Sequence, residues 1–342
     1  MKRVRNLAGL VLLLVIMASM SRVLGSYYIA LATRILVFAI FAMSLDLLVG
    51  FVGLSSLGHA TFLGVAAYAA GLLALRVANN FALTFGAGVV VAFVVALVYG
   101  ALALRAKTVY FLMLTIALSQ VVWGIAFEWR DLTGGDDGLP GIPRPVIGPW
   151  NLTDGASFYL FTLVIFVICA SLMLLVVRSP FGLTLQGIRE SPSRMAALGY
   201  NVWLHQYLAI IISAVFAGAS GALLSYQYGI VSPTQLGVVT SAEALLMVIL
   251  GGAGTMVGPF VGAIVVVLLE YLVSALQWNI FGLTVGQRWV TVLGMVYILV
   301  VLAAPRGIYP PIRSGVLRLF GRPVVDQPPP ALTSASESPG AL

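Results

Sequence analysis

Charge is what this sequence has least of. Of its 342 residues only 8% are Asp, Glu, Lys or Arg, where a soluble domain carries about 25%. A water-soluble fold of this length needs a polar surface that so few charges cannot make, so lipid is its main solvent. The single cysteine, Cys169, excludes a disulfide within the chain and leaves the redox compartment unreadable. It stands in an apolar run and reads as a small packing residue. Two histidines are too few for a chain of acids and imidazoles relaying protons through a membrane, which argues against a proton-powered carrier. The 18 basic residues give a net charge of +7. They are scattered over loops and termini with no basic stripe among aromatics, so nucleic acid is not a partner.

Catalytic patterns are missing too. Gly251-Gly-Ala-Gly-Thr255 is glycine-rich, but no Lys follows it, so it is not a phosphate-binding loop. No other Walker-type sequence exists, and the chain reads as having no ATPase site and binding no cofactor. Gly218-Ala-Ser220-Gly221 has the Gly-x-Ser-Gly form of intramembrane serine proteases. Both histidines, His59 and His205, precede that serine instead of following it, and small-residue packing explains the pattern better. No Cys/His/Asp cluster has metal-ligand spacing.

What is abundant is apolar length. Runs of spanning character cover 7–25, 29–49, 59–78, 82–104, 109–127, 157–177, 206–230, 240–251, 258–277 and 288–304. Each must be helical, because lipid offers no partner to backbone N–H and C=O groups. The fold class is an all-α polytopic bundle of about ten spans. The 240–251 run is short and reads either as a tilted span or as a half-helix buried by its neighbours. With the N-terminus inside and ten crossings, 12 of the 18 Lys and Arg fall on the cytoplasmic side, including Arg178, Arg189 and Arg194. The outer loop 128–156 carries a net charge of −3. Lys2, Arg3 and Arg5 before an apolar stretch resemble a signal peptide, but a retained first span keeps the crossing count even. Residues 1–305 form the membrane domain, and 306–342 are a basic, Pro/Ser-rich tail with no apolar periodicity, read as disordered.

Ionisable groups within the spans are Arg34, Asp46, Glu243 and Glu270, with His59 at a span edge. A charge at mid-membrane costs about 2.5–3.5 kcal/mol on insertion scales, so each needs a reason. Interface placement or snorkelling suits Arg34, Glu243 and Glu270; Asp46 is the deepest acid. It opens a polar, glycine-dense stretch with Gly50, Ser55, Ser56, Gly58 and His59, which reads as a helix break lining a path. Gly251, Gly252, Gly254, Gly258 and Pro259 form a second candidate break. Gly254, Gly258 and Gly262 also have small-xxx-small spacing, as do Ala214, Gly218 and Ala222.

The 178–205 loop has its own helix signals. Pro180 to Arg189 reads as a first short element. Ser191 is a good N-cap, Pro192 suits the first helical position and Gly199 suits the stop. A capped helix exposing Met195 and Leu198 reads as a knob for a groove on a partner, or as a surface-lying connector.

At these residues the sequence resembles the longer, M-type permease subunits of branched-chain amino acid ABC transporters. The matching stretches are Leu45-Asp-Leu-Leu-Val-Gly50 with Ser56-Leu-Gly-His59, Tyr110-Phe-Leu-Met-Leu-Thr115 with Leu132-Thr-Gly-Gly-Asp-Asp-Gly138, Ser179-Pro-Phe-Gly182 through Ile188-Arg-Glu-Ser191 to Ala197-Leu-Gly199, and Leu250-Gly-Gly-Ala-Gly-Thr255 with Gly258-Pro259. The resemblance implies a multi-pass protein of the bacterial inner membrane with both termini cytoplasmic. It implies a second permease subunit as heterodimer partner, two cytoplasmic ATPase subunits that use ATP, and a periplasmic solute-binding protein. Pro180, Phe181, Gly182, Arg189, Glu190, Ser191, Met195, Ala197 and Gly199 then form the ATPase-coupling loop. It departs from the general importer pattern in having Met195 where Glu is usual. Thr133, Gly134, Gly135, Asp136, Asp137 and Gly138 would receive the binding protein. Urea or short amides are alternative solutes, and an ion-coupled carrier is the alternative mechanism.

Overall fold

The computed structural model describes residues 25–106, 109–146 and 152–275 continuously, with isolated positions at 17, 279–280, 283–284, 291, 294–295, 298 and 307–309. The spans expected at 7–25 and 288–304, and the tail 306–342, lie outside the continuous stretches. Every span expected between 29 and 277 is a helix: α1 (Ser26–Asp46), α2 (Ala60–Arg76), α3 (Phe81–Ala103), α4 (Val109–Glu128), α5 (Gly155–Arg178), α8 (Val202–Tyr228), α9 (Val238–Gly251) and α10 (Val257–Ala275). Six helices among the described residues are long and apolar enough to cross a membrane. Two short helices, α6 (Pro180–Glu190) and α7 (Pro192–Ala197), mark the lower end of the bundle. The described residues 129–146 after α4 mark the upper end.

Side-chain size decides which helices go inside. α1 and α8 are buried almost all round; α1 packs on α5, α8, α9 and α10, and α8 on α2 and α3. In lipid no hydrophobic force draws helices together, so close approach of small residues does the work. On α3 the buried stripe is Gly88, Ala92, Ala96 and Gly100 at four-residue spacing. It faces the Ala214, Gly218, Ala222 ladder of α8, where a Cβ on Gly218 would stand 2.6 Å from that of Ala92. The outer faces are mostly apolar, with Val90, Phe93, Val94 and Val98 on α3 and Val164, Ile168 and Leu175 on α5 exposed.

The short run at 240–251 is the half-helix. Its 14 residues make about 21 Å, too little to cross roughly 30 Å of hydrocarbon. After β2 (Ile230–Val231) pairs with β1 (Leu139–Pro140) at the upper end, the chain descends through a tight turn at Pro233–Leu236. There the Leu236 carbonyl accepts from Ser119 Oγ, midway along α4, at 3.2 Å. α9 therefore starts inside the bundle and runs to the lower end.

One ladder is corrected. Gly254 is not on a helix with Gly258 and Gly262: it lies in a turn at φ 78, and α10 begins at Val257. Gly258 and Gly262 do pack, but against α9, beside the Gly251 backbone and the Met247 carbonyl respectively. Pro259 sits in the first turn of α10, where its missing N–H costs nothing.

Candidate functional site

The first break begins at the end of α1. Residues Leu47–Val52 widen into a π-turn, and Gly53 at φ 82 ends it. The N–H groups of both Gly53 and Leu54 donate to the Leu48 carbonyl. Such widened turns inside α-helices concentrate at functional sites. The second break, 252–256, separates α9 from α10. Met256 is the only described non-glycine residue at positive φ (56°).

Asp46 joins the two. It is fully buried, and its Oδ1 accepts from the Gly254 N–H at 2.7 Å and its Oδ2 from the Met256 N–H at 3.2 Å. The carboxylate thus satisfies two backbone donors that the second break leaves without a helical partner. Gly50 is required by the same closeness, since a Cβ there would overlap Asp46 Oδ1 and the Gly254 amide.

The 179–199 loop reaches this junction. Arg189, near the end of α6, donates from Nη1 to the Gly50 carbonyl. Its side chain also lies over two further glycines of the breaks: a Cβ on Gly53 would stand 3.0 Å from Arg189 Cγ, and one on Gly254 3.2 Å from Nη1. Arg189, Gly50, Gly53, Asp46, Gly254 and Met256 therefore form one constellation at the lower end, and no contact joins Gly251 or Gly252 to Arg189 or Asp46 among the described residues.

The loop itself folds as its sequence reads. Ser179 Oγ caps α6 at the Gly182 N–H, and Ser191 Oγ caps α7 at the Arg194 N–H at 3.3 Å. Gly199, at φ 89, ends it, with the Tyr200 N–H donating to the Met195 carbonyl at 3.1 Å. Gly182 is pressed on the Val177 backbone, and Phe181 stacks on His205 at 5.8 Å. Glu190 and Ala197 are exposed. Met195 differs from the expectation. It turns inward, its Sδ 2.8 Å from where a Cβ on Gly187 would be, because the missing side chain at 187 leaves a slot between the two helices. The apolar surface on offer comes from Leu183 and Leu198, 64% and 68% exposed.

Further along the first break, His59 is fully buried, stacked on Phe41 at 5.4 Å with Nε2 2.9 Å from Ser44 Oγ. It holds a hydroxyl, whereas the freed backbone is served by Ser56, which accepts from the Gly58 N–H at 3.3 Å, and by Ser241 of α9, which accepts from the Ala60 N–H at 2.9 Å. Ser55 is exposed. Gly58 sits beneath the Tyr99 hydroxyl, which donates to the Thr115 carbonyl at 2.7 Å.

At the upper end Thr133 is buried and folds the turn. Its hydroxyl donates to the Ala126 carbonyl at 2.6 Å and accepts from the Gly135 N–H at 3.3 Å. Gly134, Gly135 and Gly138 all have positive φ. Asp136 and Asp137 are left exposed. The Ile142 N–H donates to the Gly229 carbonyl at 2.9 Å, tying this loop to the connector that leads into α9.

One pairing escaped the sequence reading. Arg34 Nη2 donates to both Glu270 oxygens, at 2.9 and 2.7 Å. They are 236 positions apart, so no spacing signal could join them.

Comparison with known families bears on this arrangement. Residues 27–303 match the family described as "Branched-chain amino acid transport system / permease component". The chain belongs to this family. It is similar to the high-affinity branched-chain amino acid transport system permease protein LivM of Escherichia coli (strain K12), 25% identical over 324 residues, or 88% of this chain and 74% of that protein. It is also similar to the probable permease LivM of Methanocaldococcus jannaschii, 23% identical over 248 residues, 68% of this chain and 71% of that one. E. coli LivH is 24% identical over 255 residues, 70% of this chain and 82% of LivH. The likeness to E. coli LivM, the longer subunit type, thus extends further along the chain. No solved structure matches the chain. The permease is a multi-pass, all-α membrane protein, and the curated relatives are transport permeases.

Proposed function

We propose that this permease encloses half of a solute path, that a second permease subunit completes it, and that two separate cytoplasmic ATPases drive it by alternating access. The chain performs no hydrolysis of its own and binds no cofactor; ATP is used by the partners. The solutes are branched-chain or related amino acids, delivered by a periplasmic binding protein. The 129–154 loop and the exposed Asp136 and Asp137 face that binding protein, and both termini are cytoplasmic.

The observation that carries this reading is Arg189. A residue of the exposed α6–α7 element holds the backbone of one helix break while Asp46 locks that break to the other. Movement of α6 under an ATPase pulls on Gly50, and through Asp46 on residues 254–256. Packed helices switch between discrete arrangements instead of deforming smoothly, so a pull at this junction repacks α1, α9 and α10 together. At the other end, binding-protein contact with the 133–142 turn acts on the connector into α9.

Reconstitution of the permease pair with its ATPases and binding protein tests the proposal. L-leucine uptake should need ATP inside the vesicles and persist when ion gradients are collapsed. Uptake that follows an ion gradient and ignores ATP would refute it.

A further inference from the structure

Resting on that reading, we propose that the turn leading into α9 lines the solute path at mid-membrane, with Thr234 on the turn and Gln120 on α4 as the side chains that meet the solute. The turn, Pro233–Leu236, belongs to neither glycine-rich break. Its depth is set by the 3.2 Å bond from Ser119 Oγ to the Leu236 carbonyl. Ser119 is midway along α4, whose 20 residues make about 30 Å and so cross the whole hydrocarbon. Irregular backbone therefore lies at the level of the bilayer centre. Backbone of that kind is tolerated there only where protein buries it or where it lines a water-filled cavity.

Protein buries one side of the turn. Pro233 and Leu236 are buried, and a Cβ on Gly64 of α2 would stand 2.4 Å from Leu236 Cδ2. The other side is open: Thr234 is exposed, and Ser232, Gln235 and Thr240 are half-buried. This open side is polar. Ser232 Oγ lies 2.6 Å from Thr234 Oγ1, and Thr240 Oγ1 donates to the Thr234 carbonyl at 3.1 Å. Gln120, the residue after Ser119, is exposed at the same height and has no hydrogen-bond partner among the described residues. An amide without a partner is costly to place in lipid. At the middle of α3 and α5 the exposed side chains include Val94 and Ile168, which lipid suits. The bundle thus carries a lipid face and a wet face at one depth.

The wet face continues from the upper end. Val231 pairs with Leu139, and the Ile142 N–H donates to the Gly229 carbonyl at 2.9 Å. One short connector therefore runs from the end proposed to receive the binding protein down to Thr234. A hydroxyl and a carboxamide each donate and accept, so Thr234 and Gln120 recognise hydrogen-bonding groups of the solute without forming an ion pair with it.

The test is thiol labelling of the complete reconstituted transporter carrying Thr234→Cys in a Cys169→Ala chain, read on the permease itself. The probe is a water-soluble cationic methanethiosulfonate. T234C should react either without ATP or with ATP and vanadate, L-leucine with the binding protein should slow the reaction, and the labelled transporter should lose uptake. Val94→Cys in the same background should stay unlabelled. T234C that reacts no faster than V94C in either state would mean that lipid or another helix covers the turn, and would overturn the inference. Labelling that ignores L-leucine and leaves uptake normal would overturn it too. If the cysteine chain does not assemble, Thr234→Val in the native chain decides. Its KM for L-leucine should rise about two- to tenfold, the loss of one hydrogen bond, with the melting temperature unchanged; an unchanged KM would overturn the inference. Failure of the underlying permease reading looks different, since wild type would then take up L-leucine without ATP.

Discussion

Replacing Asp46 by Asn probes the junction of the two helix breaks. Both of its partners are donors, the N–H groups of Gly254 and Met256. The amide keeps one acceptor oxygen and turns an NH2 group toward the other donor. Losing a charge-assisted bond costs about 1.5–3 kcal/mol, and an orphaned buried N–H about 1–3 kcal/mol. The two overlap, and an amide is easier to bury than a carboxylate, so a net loss of about 2 kcal/mol is expected. Asp46→Ala orphans both donors and should cost more, on the order of 3–5 kcal/mol. Thermal unfolding of the purified permease should rank wild type above D46N and D46N above D46A. Gly50→Ala forces a methyl group into the same space and breaks the same contact, so G50A and D46A together should cost less than their sum. D46A with wild-type stability, or strict additivity of the pair, would refute the junction.

Two further predictions separate docking from stability. Leu198→Asp should weaken ATPase association and uptake while shifting permease stability by no more than about 0.5 kcal/mol, since the side chain is mostly exposed; pull-down and melting measured together check this. Asp136→Asn with Asp137→Asn should raise the Kd for the binding protein, more so at low ionic strength because exposed charges are screened by salt; titration at two salt concentrations reads it.

Local signals were legible in the sequence and long-range ones were not. Ser191, Pro192 and Gly199 announce α7 because capping is decided within a few residues. The Ala214, Gly218, Ala222 ladder announces helix contact for the same reason. Asp46 stood out as a buried acid, but its partners are backbone amides more than 200 positions away, and backbone donors leave no trace in a residue pattern. Met195 read as exposed because its slot is made by an absence at Gly187. Gly254 read as part of a helix because its spacing from Gly258 is helical, whereas its positive φ follows from its contact with Gly50 and Asp46. Arg189 belongs to the loop by sequence, yet nothing in the loop's residue pattern reveals that it reaches Gly50.

The number of ATP molecules hydrolysed per solute moved, in a reconstituted transporter carrying Arg189→Ala, bears most directly on the link between loop and helix breaks. Hydrolysis should continue while uptake falls at least tenfold, so that the ratio rises by the same factor. An unchanged ratio with normal uptake would mean that Arg189 and Gly50 carry no part of the coupling.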